Sequence, residues 1–420
     1  IWIIGGPLAF IPLTVLPLIL LTGFSVQRSL AGKVQALLRY GAHKQATLIE
    51  TLTGLESVKS LGSEGLLQRR WEQVTGNIAS LGLKTRFLSS SAVNITVFLQ
   101  QMSVVAVVIY GVYLIGDGEM SLGGLIACTI LTGRALSPLA QIASIFCRYH
   151  QARAAFKSTD SLMSLPLEQS PGMNYLDRPL IKGSIEFKNV CFSYPSQSIA
   201  AVRDLSFRIK AGERVAIIGR IGSGKSTIEK LIAGLYEPDS GAILIDGTDS
   251  RQLNPADLRR NIGYVQQDAT LFYGTVKENI ILGMPHADDQ AVLDAADISG
   301  VSDFVNRHPS GFDLQVGERG EGLSGGQRQS IIIARALLRA PPVVLMDEPS
   351  NAMDNTAEEL FKSRFEKWLG DRTLVLVTHR ASLLSMVDRV VVLDNGTVIA
   401  DGRKEVVLDA LKQGQIRVPR

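Results

Sequence analysis

The run GRIGSGKST at 219–227 sets a lysine and two hydroxyl residues behind three spaced glycines, a combination suited to holding phosphate. It follows the apolar segment RVAII and precedes Ile228, Leu231, Ile232 and Leu235, which fall on one helical face. Gly219, Gly222 and Gly224 therefore lie where a strand turns sharply into a helix N-terminus. Backbone N–H groups along Ser223, Gly224, Lys225, Ser226 and Thr227 can surround a phosphate there, aided by the helix dipole. Lys225 can neutralise β- and γ-phosphates, and the Ser226 hydroxyl can bind Mg²⁺. The plain alternative is a glycine-rich turn that only closes a strand–helix unit. The strand and helix on either side favour a nucleotide site.

PVVLMDEPS at 342–350 supplies the acidic counterpart. Asp347 ends a buried apolar strand and can hold Mg²⁺. Glu348 emerges at the strand's C-terminal edge, where open α/β sheets place ligands, and can polarise an attacking water. Losing such a base typically costs ~10²–10⁴ in rate. His379 ends the apolar run TLVLVTH at the same kind of edge. A lone histidine is often structural, but this position favours a γ-phosphate contact.

A second cradle follows about a hundred residues after the first. LSGGQRQ opens the helical segment SGGQRQSIIIARALLRA, which Pro341-Pro342 terminates. Ser324, Gly325, Gly326 and Gln327 thus present another helix N-terminus to an anion. One nucleotide has little use for two helix ends from distant parts of one domain. Two copies arranged head to tail resolve this: each first cradle grips its own nucleotide, and each LSGGQ closes over its partner's.

The elements that must position these residues divide the 420-residue chain. No charged residue occurs in 1–24 or in 87–116, and runs of that length can cross a ~30 Å hydrocarbon core as helices. Spans are expected over 6–23, 90–115 and 122–146, with Gly5-Gly6-Pro7 turning the chain at the outer end of the first. The basic, helical stretch 25–88 between the first two should lie on the cytoplasmic side, and the link 116–119, without Lys or Arg, should face out. A start inside an apolar run, without Met or a charged flank, does not read as a signal peptide, and a longer parent with earlier spans is expected. Cys128, Cys147 and Cys191 are too widely spaced for a metal or disulfide pattern, which suits a reducing cytoplasm. A net charge of +3 is too small to argue for nucleic acid.

Residues 164–182 turn polar and proline-bearing and are expected to link a helical membrane domain (1–163) to a nucleotide-binding domain (183–420). Beyond the linker, short apolar runs alternate with helical segments, the arrangement of a parallel α/β core with antiparallel additions and a helical subdomain. Asn395-Gly396 between two apolar runs marks a hairpin.

With these motifs in order, residues 180–410 resemble the ATP-binding cassette (ABC) transporter family. GRIGSGKST resembles Walker A, MDE Walker B, and LSGGQ the signature; Tyr194 in FSYP would stack on adenine. Gln267 in YVQQD resembles the Q-loop glutamine and would join Ser226 and Asp347 at Mg²⁺; Asp354 in NAMD resembles the D-loop aspartate, and His379 the switch histidine. The resemblance implies ATP and Mg²⁺ as cofactors, catalysis by Glu348, His379 and Lys225, and an ATP sandwich dimer, expected to pair two copies of this chain. TLIETLTGLESVKSLGSE at 47–64 resembles the second cytoplasmic loop of ABC exporters, whose coupling helix is expected over 50–55. The wording of GRIGSGKST, HPSGFDLQVGERGEGLSGGQRQ and DEPSNAMDN looks most like type I protein secretion ATPases, the branch exporting large repeat-containing toxins and adhesins. That implies the bacterial inner membrane, a polypeptide substrate, a periplasmic adaptor and an outer-membrane channel. An exporter of lipid, drug or small peptide is the alternative, because all share the same cassette.

Three departures from the family pattern stand out. Gln266 occupies a usual proline position, Ser350-Asn351 replaces the usual Thr-Ser, and Glu229 stands where exporters commonly carry leucine. Glu229 is expected to reach solvent at the edge of the apolar stripe, without a catalytic role. In the spans, Asn94, Gln100, Gln101 and Arg134 add polarity. Arg134 either faces a wet path or snorkels to the headgroups.

Overall fold

The structure is a computed structural model that describes residues 1–413 except 170, 171, 173, 196 and 198, and omits side chains at 27, 28, 31 and most of 139–151. Cys147, Arg28, Arg148 and parts of the expected linker and of the expected C-terminal domain lie outside the described residues. The chain divides into two compact units, Ile1–Ser170 and Pro171–Arg420.

The first unit is helical. A turn of helix (Trp2–Gly5) and a 3₁₀ turn (Gly6–Ala9) precede α1 (Phe10–Thr53), and Gly6 takes the positive φ of 47° that breaks the two apart. α2 (Leu55–Ser60) is short, while α3 (Glu64–Gly116) and α4 (Leu122–Met163) are long. Among the described residues, two segments, Trp2–Val26 and Glu64–Gly116, are long and apolar enough to cross a membrane; a third apolar stretch covers Leu122–Pro138 of α4, and most side chains from 139 to 151 in the expected third span lie outside the described residues. They pack together through Leu8, Val107, Leu114, Leu125 and Cys128. Gly111 permits that contact, since a Cβ there would lie 2.4 Å from Leu125 Cδ1.

The short helix between α1 and α3 is not at 50–55. Residues up to Thr53 continue α1, and Gly54 ends it by donating its N–H to the Glu50 and Leu52 carbonyls. The separate short helix is therefore Leu55–Ser60, shifted toward the C-terminus. Glycine weakens a helix and ends it readily, which is why the break falls at Gly54.

The second unit has two sheets. β1 (Ile185–Phe192), β2 (Val202–Ile209), β4 (Ser240–Ile245) and β5 (Thr248–Asp249) form an antiparallel sheet in the order β2-β1-β4-β5. β3 (Arg214–Gly219), β6 (Ile262–Val265), β7 (Val343–Asp347), β8 (Thr373–Val377), β9 (Arg389–Asp394) and β10 (Thr397–Arg403) form the larger sheet, ordered β10-β9-β3-β8-β7-β6. Its strands are parallel except β10, which returns from β9 through Asn395-Gly396, both at positive φ as a tight hairpin requires.

Strand alternation splits the core. Val215, Ile217, Leu345, Val375 and Val391 pack with the antiparallel sheet and with α5 (Lys225–Ile232). Ala216, Val344, Met346, Leu374 and Val390 pack on the other face against α6 (Asp289–Ser299), α7 (Gly325–Leu337) and α8 (Asn355–Leu369). A sheet buried on both faces reads as near-continuous apolar runs, and β7 is buried at all five positions.

Candidate nucleotide site

β3 runs directly into the first cradle and α5 begins at Lys225. Two of the cradle glycines are required by geometry. A Cβ on Gly219 would sit 2.3 Å from the Leu393 carbonyl oxygen, and Gly224, at φ 97°, has the Ala201 carbonyl 2.7 Å from where its Cβ would be. Lys225 folds back, its Nζ donating to the carbonyls of Gly219 (2.9 Å) and Arg220 (2.7 Å). Burial pulls the Lys225 amine below its ordinary value, opposed by the charges of Asp347 and Glu348. The Ser223 hydroxyl is buried within the cradle and has no hydrogen-bond partner among the described residues.

β7 and β8 end beside the cradle. Asp347 accepts a hydrogen bond from the Ser226 side chain; burial raises its carboxyl, while Ser226 and Lys225 draw it down. Glu348 takes φ 49°, a left-handed conformation that costs a non-glycine residue about 1–3 kcal/mol and recurs at functional positions. Its Oε1 lies 3.6 Å from His379 Nε2, and its Oε2 accepts from Thr378 Oγ1 at 3.4 Å. Burial pushes the Glu348 carboxyl up, partly offset by His379. A half-buried carboxylate with a raised pKa is suited to taking a proton.

Tyr194 Oη is hydrogen-bonded to Thr227 Oγ1 at 3.1 Å, and its ring meets Phe192 and Tyr236 edge-on. Gln267 is exposed just beyond the end of β6. Ser226 and Asp347 alone already form a two-oxygen start of a set suited to Mg²⁺.

The second cradle is built elsewhere in the same unit. Ser324 caps α7 by accepting from the Gln327 N–H (3.3 Å), while Gln327 Oε1 accepts from the Ser324 N–H (2.9 Å). Ser-x-x-Gln is therefore a reciprocal cap as well as an anion-facing helix end. Gly325 and Gly326 let the D-loop approach, since a Cβ on either would lie 3.2 Å from Ala352 atoms. Asp354 in turn caps α8, accepting from the Ala357 N–H at 2.8 Å. Ser324–Gln327 and Asp354 line one pocket, whereas Gly219 and His379 line another with no lining residue in common. The chain thus brings Lys225, Ser226, Asp347, Glu348 and His379 together and leaves the LSGGQ helix on a separate face.

Two expectations are overturned on α5. Glu229 does not reach solvent: it is 0% exposed, and among the described residues neither carboxylate oxygen has a hydrogen-bond partner. Leu235 is not part of the buried stripe; α5 ends at Ile232, leaving Leu235 43% exposed. The helix is one turn shorter than the periodicity suggests, and its rotation turns position 229 inward. Residues around the site that motif reading did not single out include Thr378, Glu358, Arg380 and Ser382, whose partners are distant in sequence.

Residues 1–138 match the ABC transporter transmembrane region, and 202–351 match the ABC transporter domain. The chain is 33% identical over 403 residues to the cyclolysin secretion/processing ATP-binding protein CyaB of Bordetella pertussis, covering 96% of this chain and 56% of that protein. It is 32% identical over 408 residues to the alpha-hemolysin translocation ATP-binding protein HlyB of Escherichia coli O157:H7, covering 97% and 57%. The chain therefore spans a little over half the length of these relatives. Among solved structures, a bacterial Atm1-family ABC exporter with ATP bound is 28% identical with a TM-score of 0.88, covering 98% of this chain and 72% of that one. A membrane-spanning helical region followed by an ATP-binding cassette, matched in that order by both halves of one family, makes this chain a member of the ABC transporters.

Proposed function

We propose that this chain powers the export of a polypeptide across the bacterial inner membrane by hydrolysing ATP, as a type I secretion ATPase. The observation that carries the catalytic part is the meeting of Lys225, Ser226, Asp347, Glu348 and His379 at one sheet edge. The polypeptide substrate is supported by the relatives named for cyclolysin secretion and alpha-hemolysin translocation. A second copy of the chain would complete each site, with Ser324, Gly325, Gly326 and Gln327 closing over the partner's nucleotide and Asp354 beside them. A periplasmic adaptor and an outer-membrane channel would receive the cargo.

In this reading the glycine cradle and Lys225 bind the phosphates, and Tyr194 abuts the base. Ser226 and Asp347, with Gln267 once drawn in, would hold Mg²⁺, which supplies charge neutralisation at the β- and γ-phosphates. Glu348 takes the proton of the attacking water and His379 orients the γ-phosphate. Glu348→Gln keeps the shape and removes the base, so ATP turnover should fall ~10²-fold or more while ATP binding persists. Turnover of the purified full-length variant at the wild-type rate would refute the assignment. In cells, the variant should also lose one or a few very large proteins from the medium. Lipid build-up in the inner membrane with an unchanged exterior would instead identify a lipid exporter.

A further inference from the structure

Behind Glu348 and His379 lies a buried carboxylate that no sequence motif accounts for. Glu358, on the first turn of α8, is 4% exposed. Its Oε2 accepts from Ser350 Oγ (2.5 Å) and Arg380 Nη1 (2.5 Å), and its Oε1 accepts from Ser382 Oγ. Three segments therefore converge on one side chain. Ser350 follows Glu348 by two residues, Arg380 and Ser382 follow His379 by one and three, and Glu358 belongs to the helix that Asp354 caps. Arg380 extends the network: Nη2 donates to the Asn351 carbonyl (3.4 Å), and its backbone N–H donates to Thr378 Oγ1 (3.1 Å). Thr378 Oγ1 in turn donates to Glu348 Oε2.

We infer that Glu358 is a positioning residue for ATP hydrolysis, fixing the loop after Glu348 and the loop after His379 to one another through Ser350, Arg380 and Ser382. The inference rests on the catalytic reading above. Glu358 bonds to Ser350, Arg380 and Ser382, and acts through the backbone and side chains that hold the base and the histidine 3.6 Å apart. Glu358 is buried while the Arg380 side chain is 32% exposed, so removing Arg380 leaves a buried carboxylate without its cation, which is costly. A chain of this kind also joins the D-loop, at Asn351, to the histidine, so displacement of either loop reaches both. Serine at 350 fits the network: its short hydroxyl reaches Glu358 where the family's usual threonine would add a methyl group.

Steady-state ATPase of the full-length protein in lipid nanodiscs tests this, with ATP affinity measured separately. Glu358→Ala should lower kcat by about tenfold or more through misplacement of the reacting groups, with KM for ATP changed by less than about threefold. Arg380→Ala should do the same, and the double variant should be no slower than the slower single, as expected of one network. Glu358→Asp should recover part of the loss. If Glu358→Ala fails to fold, Ser350→Ala combined with Ser382→Ala removes two hydrogen bonds at little change in volume, and should lower kcat in the same pattern. Wild-type kcat in the folded variants, a rise in KM alone, or fully additive losses would overturn the inference. A wild-type protein without turnover would overturn the catalytic reading instead, and Glu348→Gln serves as its control.

Discussion

A carboxyl group sealed into a protein interior without a partner keeps its proton, because the interior solvates the charge poorly. Glu229 is in that state: burial drives its pKa well above the ordinary value, and the negative charges of Asp347 and Glu348 push it further the same way. The folded form holds a proton that the unfolded chain releases above the ordinary value of 4.5. Folded-state stability from this group is therefore full below that pH and is lost as the pH climbs through the raised folded value. Glu229→Leu removes two unsatisfied oxygens at similar volume and should stabilise the fold by about 1–3 kcal/mol at pH 5, and by more at pH 8. Thermal unfolding of the solubilised chain at the two pH values measures this. A lower unfolding temperature for the variant at both would mean that Glu229 is held by interactions its burial hides. ATP turnover should survive the substitution, since among the described residues the Glu229 carboxyl group makes no hydrogen bond to Lys225, Ser226, Asp347 or Glu348.

The hairpin of β9 and β10 does more than close the sheet. Its tip donates the Gly396 N–H to the Ser223 carbonyl (3.2 Å), and β9 presents the Leu393 carbonyl to Gly219, so it backs the phosphate cradle. Gly396→Ala meets two obstacles, a φ of 80° and a Cβ that would lie 2.8 Å from the Ala201 carbonyl. The left-handed conformation alone costs about 1–2 kcal/mol, and the shift should loosen the cradle. The expected outcome is a lower unfolding temperature together with a Kd for ATP raised by about fivefold, as 1 kcal/mol lost at the site would give. Unchanged affinity would separate the hairpin from the cradle. The hairpin itself was legible because Asn-Gly between apolar runs has one cheap backbone solution. Its contact with residues 219 and 223 was not, since nothing local encodes which loop a turn will touch. The same division holds across the site. Glycine spacing, strand ends and acidic pairs are local and could be read. The inward turn of Glu229, the end of α1 at Gly54 and the convergence on Glu358 depend on how whole elements pack. Periodicity misplaced Leu235 because an apolar residue continues the stripe after the backbone has left the helix.

Two cradles on separate faces of one cassette constrain the assembly, and closed two-fold symmetry is the simplest arrangement that satisfies both. In such a dimer each nucleotide lies between one chain's Lys225 and the other chain's Ser324. Ser324→Arg places a bulky cation at the α7 N-terminus and disables the site of the partner, while Lys225→Ala disables the site of its own chain. A dimer of either variant alone has no working site. A mixed dimer has one, because the intact Lys225 of the first chain faces the intact Ser324 of the second. Combining the two inactive variants should therefore restore turnover, to about a quarter of the wild-type value at equal amounts if chains pair at random and sites fire independently. Coexpression with two different affinity tags, tandem purification and an ATPase assay provide the measurement; the doubly tagged fraction alone should reach about half, again by the symmetry of two equivalent sites. Sites completed within one chain forbid any such recovery, since every chain in the mixture then carries a damaged site. Silence from the doubly tagged fraction would thus return the LSGGQ helix to its own chain's nucleotide and require a large closure within the cassette, whereas recovery fixes the second copy as part of the catalytic site.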